Sequence, residues 1–216
     1  MLALDSTMVD HAELVERCQR GEAAAFRELF RSHRDDVARL VHRMLGRPSD
    51  LDDVVQEVFL QVHRSIRDFR GDARFSTWLY RVTVNVVLMA RRSARSRPAF
   101  ADDPTGQVAR DQGPLPDEAV ARRARIRAFY RLLERLSDKK RTVFVLHELE
   151  GMPPADIARI VDAPVLTVRT RLFYARRELA AMLREEPTLA GIADEYAAHQ
   201  SGTRSAAAAV KSEPGS

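Results

Sequence analysis

With 216 residues, the chain has room for one ordinary domain or two small ones, and 31% charged against 6% aromatic residues suits exposed helices better than sheets. Its one cysteine, Cys18, excludes an internal disulfide and a zinc ribbon, so a reducing cytoplasm is the expected setting. The opening residues, Met1 to Asp5, lack a basic segment followed by an apolar run, and no stretch approaches the apolar length of a bilayer span. Neither a signal peptide nor a membrane span is therefore expected.

The net charge of +4 is unevenly spread: +3 over residues 1–97, −4 over 98–120, +6 over 121–186 and −1 over 187–216. Two basic blocks flank an acidic connector. Basic blocks attract phosphate through counterion release, and charge alone is equally well explained by a solvated, arginine-rich surface.

In chain order, a short helix is predicted from about Asp10 to Arg20, stopped by Gly21. Phe26, Leu29, Phe30, Val37, Leu40, Val41, Met44 and Leu45 then recur at steps of three and four, the stripe of a long amphipathic helix that Gly46 and Pro48 end. Ser49 is placed to cap the next helix, which buries Leu51, Val54, Val55, Val58, Phe59, Val62 and Ile66. A polar loop from Arg67 to Phe75 contains Gly71. Ser76 is expected to cap a helix through Trp78, Leu79, Val82 and Val86 to Arg91 and Arg92. Residues 98–120, acidic and rich in proline and glycine, read as a flexible linker between two domains, 10–97 and 121–184.

The second block opens near Asp117 with a helix burying Phe129, Leu132, Leu133 and Leu136. Ser137 starts another, carrying Val143, Phe144, Leu146 and Leu149 up to Gly151. Pro153 and Pro154 open a third from Ala155 to Val161. Asp162, Ala163 and Pro164 form a tight turn, and a fourth helix runs from about Val165 to Leu183 before Pro187. The tail, 185–216, is rich in alanine, serine and glycine. Residues 189–199 have weak helical character, and the last fifteen or so are expected to be disordered for want of apolar surface. The fold class expected is all-α: two small helical domains joined by a flexible linker.

Three segments carry chemistry. A short helix, a three-residue turn and a longer helix make a helix-turn-helix in the second block. Val168, Leu172, Ala175 and Leu179 would hold the longer helix to the core, and Ala158 is small where the pair would cross. The other face offers Thr167, Arg169, Thr170, Arg171 and Tyr174. Arginine reaches guanine edges bidentately and threonine reaches base or phosphate, while Lys139, Lys140, Arg141, Arg176 and Arg177 are candidates for phosphate contact. DNA binding is favoured over a helical bundle with a merely solvated basic face. The second segment, Phe69 to Phe75, combines aromatic rings, Gly71 and basic groups, with Arg81 and Asn85 projecting from the following helix. Rings and arginines suit unstacked bases, yet the residues alone favour Phe69, Phe75 and Trp78 as core, Trp78 above all. The third is the polar face Asp53, Gln56 and Glu57, side by side on one helix. Taken alone it reads as a solvated face, the alternative being a ridge that docks on basic helices of a partner.

The run Asp52-Asp53-Val54-Val55-Gln56-Glu57-Val58-Phe59-Leu60 resembles the polymerase-binding helix of extracytoplasmic-function (ECF, group IV) sigma factors. Phe69-Arg70-Gly71-Asp72, with Thr77-Trp78-Leu79-Tyr80-Arg81-Val82-Thr83-Val84-Asn85, looks like their minus-ten segment. Glu150-Gly151, Asp156-Ile157-Ala158, Thr167-Val168-Arg169-Thr170-Arg171-Leu172 and Ala175-Arg176 are similar to their minus-thirty-five helix-turn-helix. The resemblance covers about residues 10–184, and three motifs in the right order make chance similarity a poor explanation.

The resemblance implies a factor that binds core RNA polymerase, brings it to promoter DNA and promotes melting. Asp53, Gln56 and Glu57 would face the clamp helices of the largest subunit. Phe69, Arg70, Asp72 and Phe75 would line a pocket for a flipped base, and Arg81 and Asn85 would contact the minus-ten strand. Thr167, Arg169, Thr170 and Arg171, with Tyr174 and Arg176, would bind the minus-thirty-five element, and the acidic linker would thread toward the active-site channel. An anti-sigma factor is a further implied partner. The chain departs from the family at Asp162 and Leu166, where glycine is usual or frequent, and at Pro153, which replaces a common capping serine. Aspartate tolerates left-handed backbone better than most residues, whereas Leu166 changes the start of the recognition helix.

No catalytic residues, metal site, cofactor or small-molecule substrate is expected. The histidines at 11, 33, 42, 63, 147 and 199 form no metal-binding pattern, no glycine-rich loop cradles phosphate, and Asp52, Asp53 and Glu57 are better explained as an acidic helix start. Two alternatives compete with the sigma-factor reading. One is a stand-alone helix-turn-helix regulator with residues 1–97 as a sensing or dimerising domain; the other is an α-helical enzyme using Asp52 or Glu57.

Overall fold

The computed structural model describes residues 12–46, 50–96 and 117–189. Among them the regular structure is entirely helical, as the composition and periodicity predicted. The helices are α1 (Ala12–Gln19), α2 (Ala23–Leu45), α3 (Leu51–Ser65), α4 (Phe75–Ser96), α5 (Asp117–Arg135), α6 (Asp138–Phe144), α7 (Pro154–Ile160) and α8 (Val165–Glu185). Short 3-10 turns cover Ile66–Asp68 and Pro187–Leu189, and α6 runs on into a π-helical turn, Val145–Leu149. The capping residue expected at Ser49, the linker core and the tail beyond Leu189 lie outside the described residues.

Two compact units emerge. In the first, α1 to α4 come together with α6, α7 and the start of α8, up to Leu172. Its centre is α2, which packs against α1, α3 and α4. The sequence stripe explains why: Leu29, Val37, Leu40, Val41 and Met44 are all almost fully buried and meet Val58, Phe59 and Val62 of α3 and Leu79, Val84 and Val87 of α4 in one core. Phe26 and Phe30 are only half-buried, and His33, one helical step from both Leu29 and Val37, takes a core place at 2% exposure. α2 ends where Gly46 adopts φ 72° and its N–H bonds back to the His42 carbonyl, a left-handed cap that glycine adopts without a Cβ clash.

α4 begins at Phe75, so Ser76 lies inside its first turn and is not the expected cap. The Trp78 N–H instead reaches the Arg74 carbonyl at 3.2 Å. The helix continues to Ser96, beyond Arg92. α7 packs against α4, and ion pairs tie the segments ahead of it to α2 and α4. Arg43 of α2 holds Glu150 at 2.8 Å and also donates to the Leu149 carbonyl. Arg91 and Arg95 of α4 both reach Asp138, each at 2.9 Å. Burial works to raise the Asp138 carboxyl, but hydrogen bonds and charges from Arg91 and Arg95 outweigh it and hold it below its usual value.

In the second unit, α5 packs on the Pro187–Leu189 turn. Ala128, Leu132, Leu133 and Leu136 are buried, as are Leu179, Met182, Leu183 and Leu189. Phe129, expected as core, is only half-buried; Ala128 occupies the buried place beside it.

Candidate polymerase and nucleic-acid interfaces

Burial of Val54, Val55, Val58, Phe59 and Val62 turns the opposite face of α3 outward, and Asp53, Gln56 and Glu57 are all exposed there. Among the described residues Glu57 pairs with Arg64, at 3.8 Å with both side chains more than half exposed, a weak surface pair that a partner can displace. Beside this ridge runs an open groove of about 590 Å³, lined among others by Phe26, Phe30, Phe59, Leu60 and His63. Phe30 meets Phe59 edge-on at 4.6 Å, and Phe26 meets His63 at 4.9 Å. Phe26, Phe30 and Phe59 were read from the sequence as buried stripe residues, and the groove they line beside the ridge was not. The signal was there: Leu60 falls three and four residues beyond Glu57 and Gln56, an apolar group on the polar face, and it is 44% exposed.

The second constellation starts at the loop before α4. Gln19 of α1 donates its side-chain amide to the carbonyls of Ile66 and Phe69, at 3.0 and 2.8 Å, and so anchors the loop's first half. Gly71 turns the chain at φ 77° and leaves Arg70 and Asp72 exposed. Phe69, Phe75 and Trp78 form a triad with ring centres 5.4 to 5.7 Å apart. Phe75 is the buried member at 3% exposure and also contacts His33; Phe69 and Trp78 are half-buried. Trp78 is therefore not the core residue expected of it. It stands on the same side of α4 as Arg81 and Asn85, three and seven residues further on, and both of those are exposed. An aromatic edge thus continues directly into a donor-bearing polar ridge.

The helix-turn-helix is built from α7, a turn and α8. Pro154 opens α7 at its first position, and Ile157 and Ile160 are buried. Asp162 takes φ 47°, a left-handed conformation that aspartate tolerates better than most residues, and the turn closes with the Ala163 N–H on the Ala158 carbonyl at 3.1 Å. Val168, Leu172, Ala175 and Leu179 are buried, so Arg169 and Thr170 face outward; Thr167 and Arg171 sit half-buried at the flanks. The Thr170 hydroxyl donates to the Leu166 carbonyl at 2.9 Å, which leaves its lone pairs to accept. In the part of α8 belonging to the second unit, Tyr174 is 50% exposed beside Phe173, and Arg176 is half-buried.

One basic residue is misplaced by sequence reasoning. Arg141, expected to touch phosphate, is 1% exposed, on a helix buried continuously from Arg141 to Leu146. Lys139 and Arg177 are exposed, and Lys140 is half-buried. Burial raises the Cys18 thiol, and burial with the negative charges of Glu150 and Asp36 raises the Tyr80 phenol well above its usual value. Among the described residues, no group of histidine, cysteine and carboxylate side chains is placed to hold a metal ion, and no helix is long and apolar enough to cross a membrane.

A family model for Sigma-70 region 2 matches residues 29–97, and one for Sigma-70, region 4, matches residues 126–179. An ECF RNA polymerase sigma-E factor of Haemophilus influenzae is 38% identical over 171 residues, which is 76% of this chain and 89% of the relative. The RNA polymerase sigma-H factor of Pseudomonas aeruginosa is 34% identical over 190 residues, 83% and 98% of the two chains. Among solved structures, CnrH in complex with the cytosolic domain of CnrY matches at TM-score 0.60 and 27% identity, over 82% of this chain and 99% of that one. The chain belongs to the ECF-type family of RNA polymerase sigma factors and directs promoter-specific transcription.

Proposed function

We propose that the chain is a group IV sigma factor working in the cytoplasm. It docks on core RNA polymerase through Asp53, Gln56 and Glu57, opens the minus-ten element with the Phe69–Asn85 constellation, and grips the minus-thirty-five element with α8. Residues 10–97 form the polymerase-binding and melting module, 98–120 an acidic tether, 121–184 the helix-turn-helix module and 185–216 a tail. The chain turns over no substrate itself; it lends selectivity to the enzyme it joins.

One observation carries this reading: within a family of this function, Asp53, Gln56 and Glu57 of α3, Arg81 and Asn85 of α4, and Arg169 and Thr170 of α8 are exposed, while Val54, Val58 and Val62, Leu79 and Val87, and Val168 and Leu172 in the core stripes of the same helices are buried. On α3, carboxylates next to an apolar groove suit a partner that is basic and partly hydrophobic. At α4 and the loop before it, the half-exposed Phe69 and Trp78 suit stacking with unpaired bases, and Arg70, Arg81 and Asn85 can bond base edges and phosphates there. Phe75 acts from beneath, holding the other two rings in place. On α8, Arg169 and Arg171 supply bidentate donors and Thr170 an acceptor, with Thr167, Tyr174 and Arg176 as flanking contacts. An anti-sigma factor is the regulator proposed with it: the sigma factor RpoE from Bartonella quintana, which shares this fold at TM-score 0.55, was solved in complex with the anti-sigma factor NepR.

The test of the docking surface is the double variant Gln56→Ala, Glu57→Ala. Both side chains are exposed, so helix content should stay unchanged while co-purification with core polymerase weakens at least tenfold. Full co-purification would remove α3 from the interface.

A further inference from the structure

Leu166 is the most exposed large apolar side chain among the described residues, at 73% against 62% for Met89. Left in water, its isobutyl group forgoes the stabilisation that burial gives an apolar side chain. Its place has a geometry. α8 turns Val168 and Leu172 inward, so Leu166 and Thr170, four apart, stand side by side on the outward face with Arg169 beside them. The first turn of the second helix in a helix-turn-helix is the part that reaches base edges in the major groove. There, thymine differs from the other bases by an apolar C5 methyl. Thr170, whose hydroxyl proton is held by the Leu166 carbonyl, accepts only, so it is matched to an adenine or cytosine amino group beside that methyl.

We propose that Leu166 is a base-reading residue of this chain, seating its isobutyl group against the C5 methyl of one thymine in the upstream promoter element. The proposal rests on the reading of α8 as the minus-thirty-five helix. Thymine and deoxyuridine pair identically and differ by that methyl alone, so their exchange isolates the contact. A duplex first selected by the holoenzyme from a random upstream library would be resynthesised with deoxyuridine at each thymine in turn, and holoenzyme affinity measured.

The wild-type holoenzyme is expected to lose about fourfold at one position, the equivalent of one buried methyl group. The Leu166→Ala holoenzyme should bind thymine and deoxyuridine forms equally. Circular dichroism of Leu166→Ala should match wild type, since the side chain is exposed. If no thymine shows the loss while Arg169→Ala still relaxes selectivity, the Leu166 contact is wrong and the reading of α8 stands. A deoxyuridine effect that survives in Leu166→Ala also overturns the contact. Weakened assembly of Leu166→Ala with core polymerase, with no methyl effect, would reassign Leu166 to a protein interface. A holoenzyme that selects no upstream sequence, with Arg169→Ala and Leu166→Ala both silent, would overturn the reading of α8 and the contact with it.

Discussion

Replacing Glu150 by alanine probes how the loop ahead of α7 is held to α2. The Glu150 side chain is 4% exposed, with Arg43 at 2.8 Å and Arg39 at 3.9 Å. Removing one member of a fully buried pair costs about 3–5 kcal/mol, because a charge is stranded. Here the stranded cations are not fully buried: Arg43 is 28% and Arg39 46% exposed, so both can turn toward water, and Arg43 keeps the Leu149 carbonyl. The expected loss therefore falls to about 1.5–3 kcal/mol, the range of a hydrogen bond to a charged group. Glu150→Gln keeps shape and one acceptor and should cost less. Glu57→Ala breaks a pair in which both partners are over half exposed, and should cost at most about 0.5 kcal/mol. Urea unfolding of the full chain, followed by far-ultraviolet circular dichroism, gives the three midpoints. The reasoning is refuted if Glu150→Ala unfolds within error of wild type, or if Glu57→Ala is the more damaging change.

Asp138 makes a pH prediction: its native carboxyl sits below the unfolded value of about 3.9, so the stability it contributes is present above that value and lost as pH falls through its lowered native value. Asp138→Asn should accordingly be less stable than wild type at neutral pH and converge with it in strong acid, as read from thermal melts across pH. Lys139 is exposed and Arg141 is not. Lys139→Ala should lower the salt slope of promoter binding by up to about one if it meets phosphate, while Arg141→Leu leaves the slope unchanged. At Asp162, glycine should be tolerated or mildly stabilising, whereas valine, forced to φ 47°, should cost about 1–3 kcal/mol in chemical denaturation.

Much of the fold was legible because apolar spacing is a local signal. The α2 and α3 stripes and the glycine stops at Gly21, Gly46 and Gly151 follow from residues within a few positions of each other, while the left-handed Asp162 follows from the family resemblance. What failed depended on distant neighbours. Arg141 looks like a phosphate ligand until the surrounding helices bury it, and Trp78 looks like core until Phe75 takes the inner place. The pairing of Asp138 with Arg91 and Arg95, about forty-five positions apart in the chain, has no periodic signature. The π-helical turn at Val145–Leu149, closed by the Glu150 N–H on the Val145 carbonyl at 3.0 Å, sits inside an ordinary helical pattern. The candidate interfaces were legible as residue types, and the groove beside α3 was not, because a third of its lining residues, Phe26, Phe30 and Arg34, come from α2.

Run-off transcription by purified core polymerase on a mixed promoter library, with and without the chain, tests the central claim most directly. Discrete start sites should arise only when the chain is present, and they should depend on two sequence blocks upstream. A core enzyme that neither retains the chain nor changes its choice of start site would contradict it.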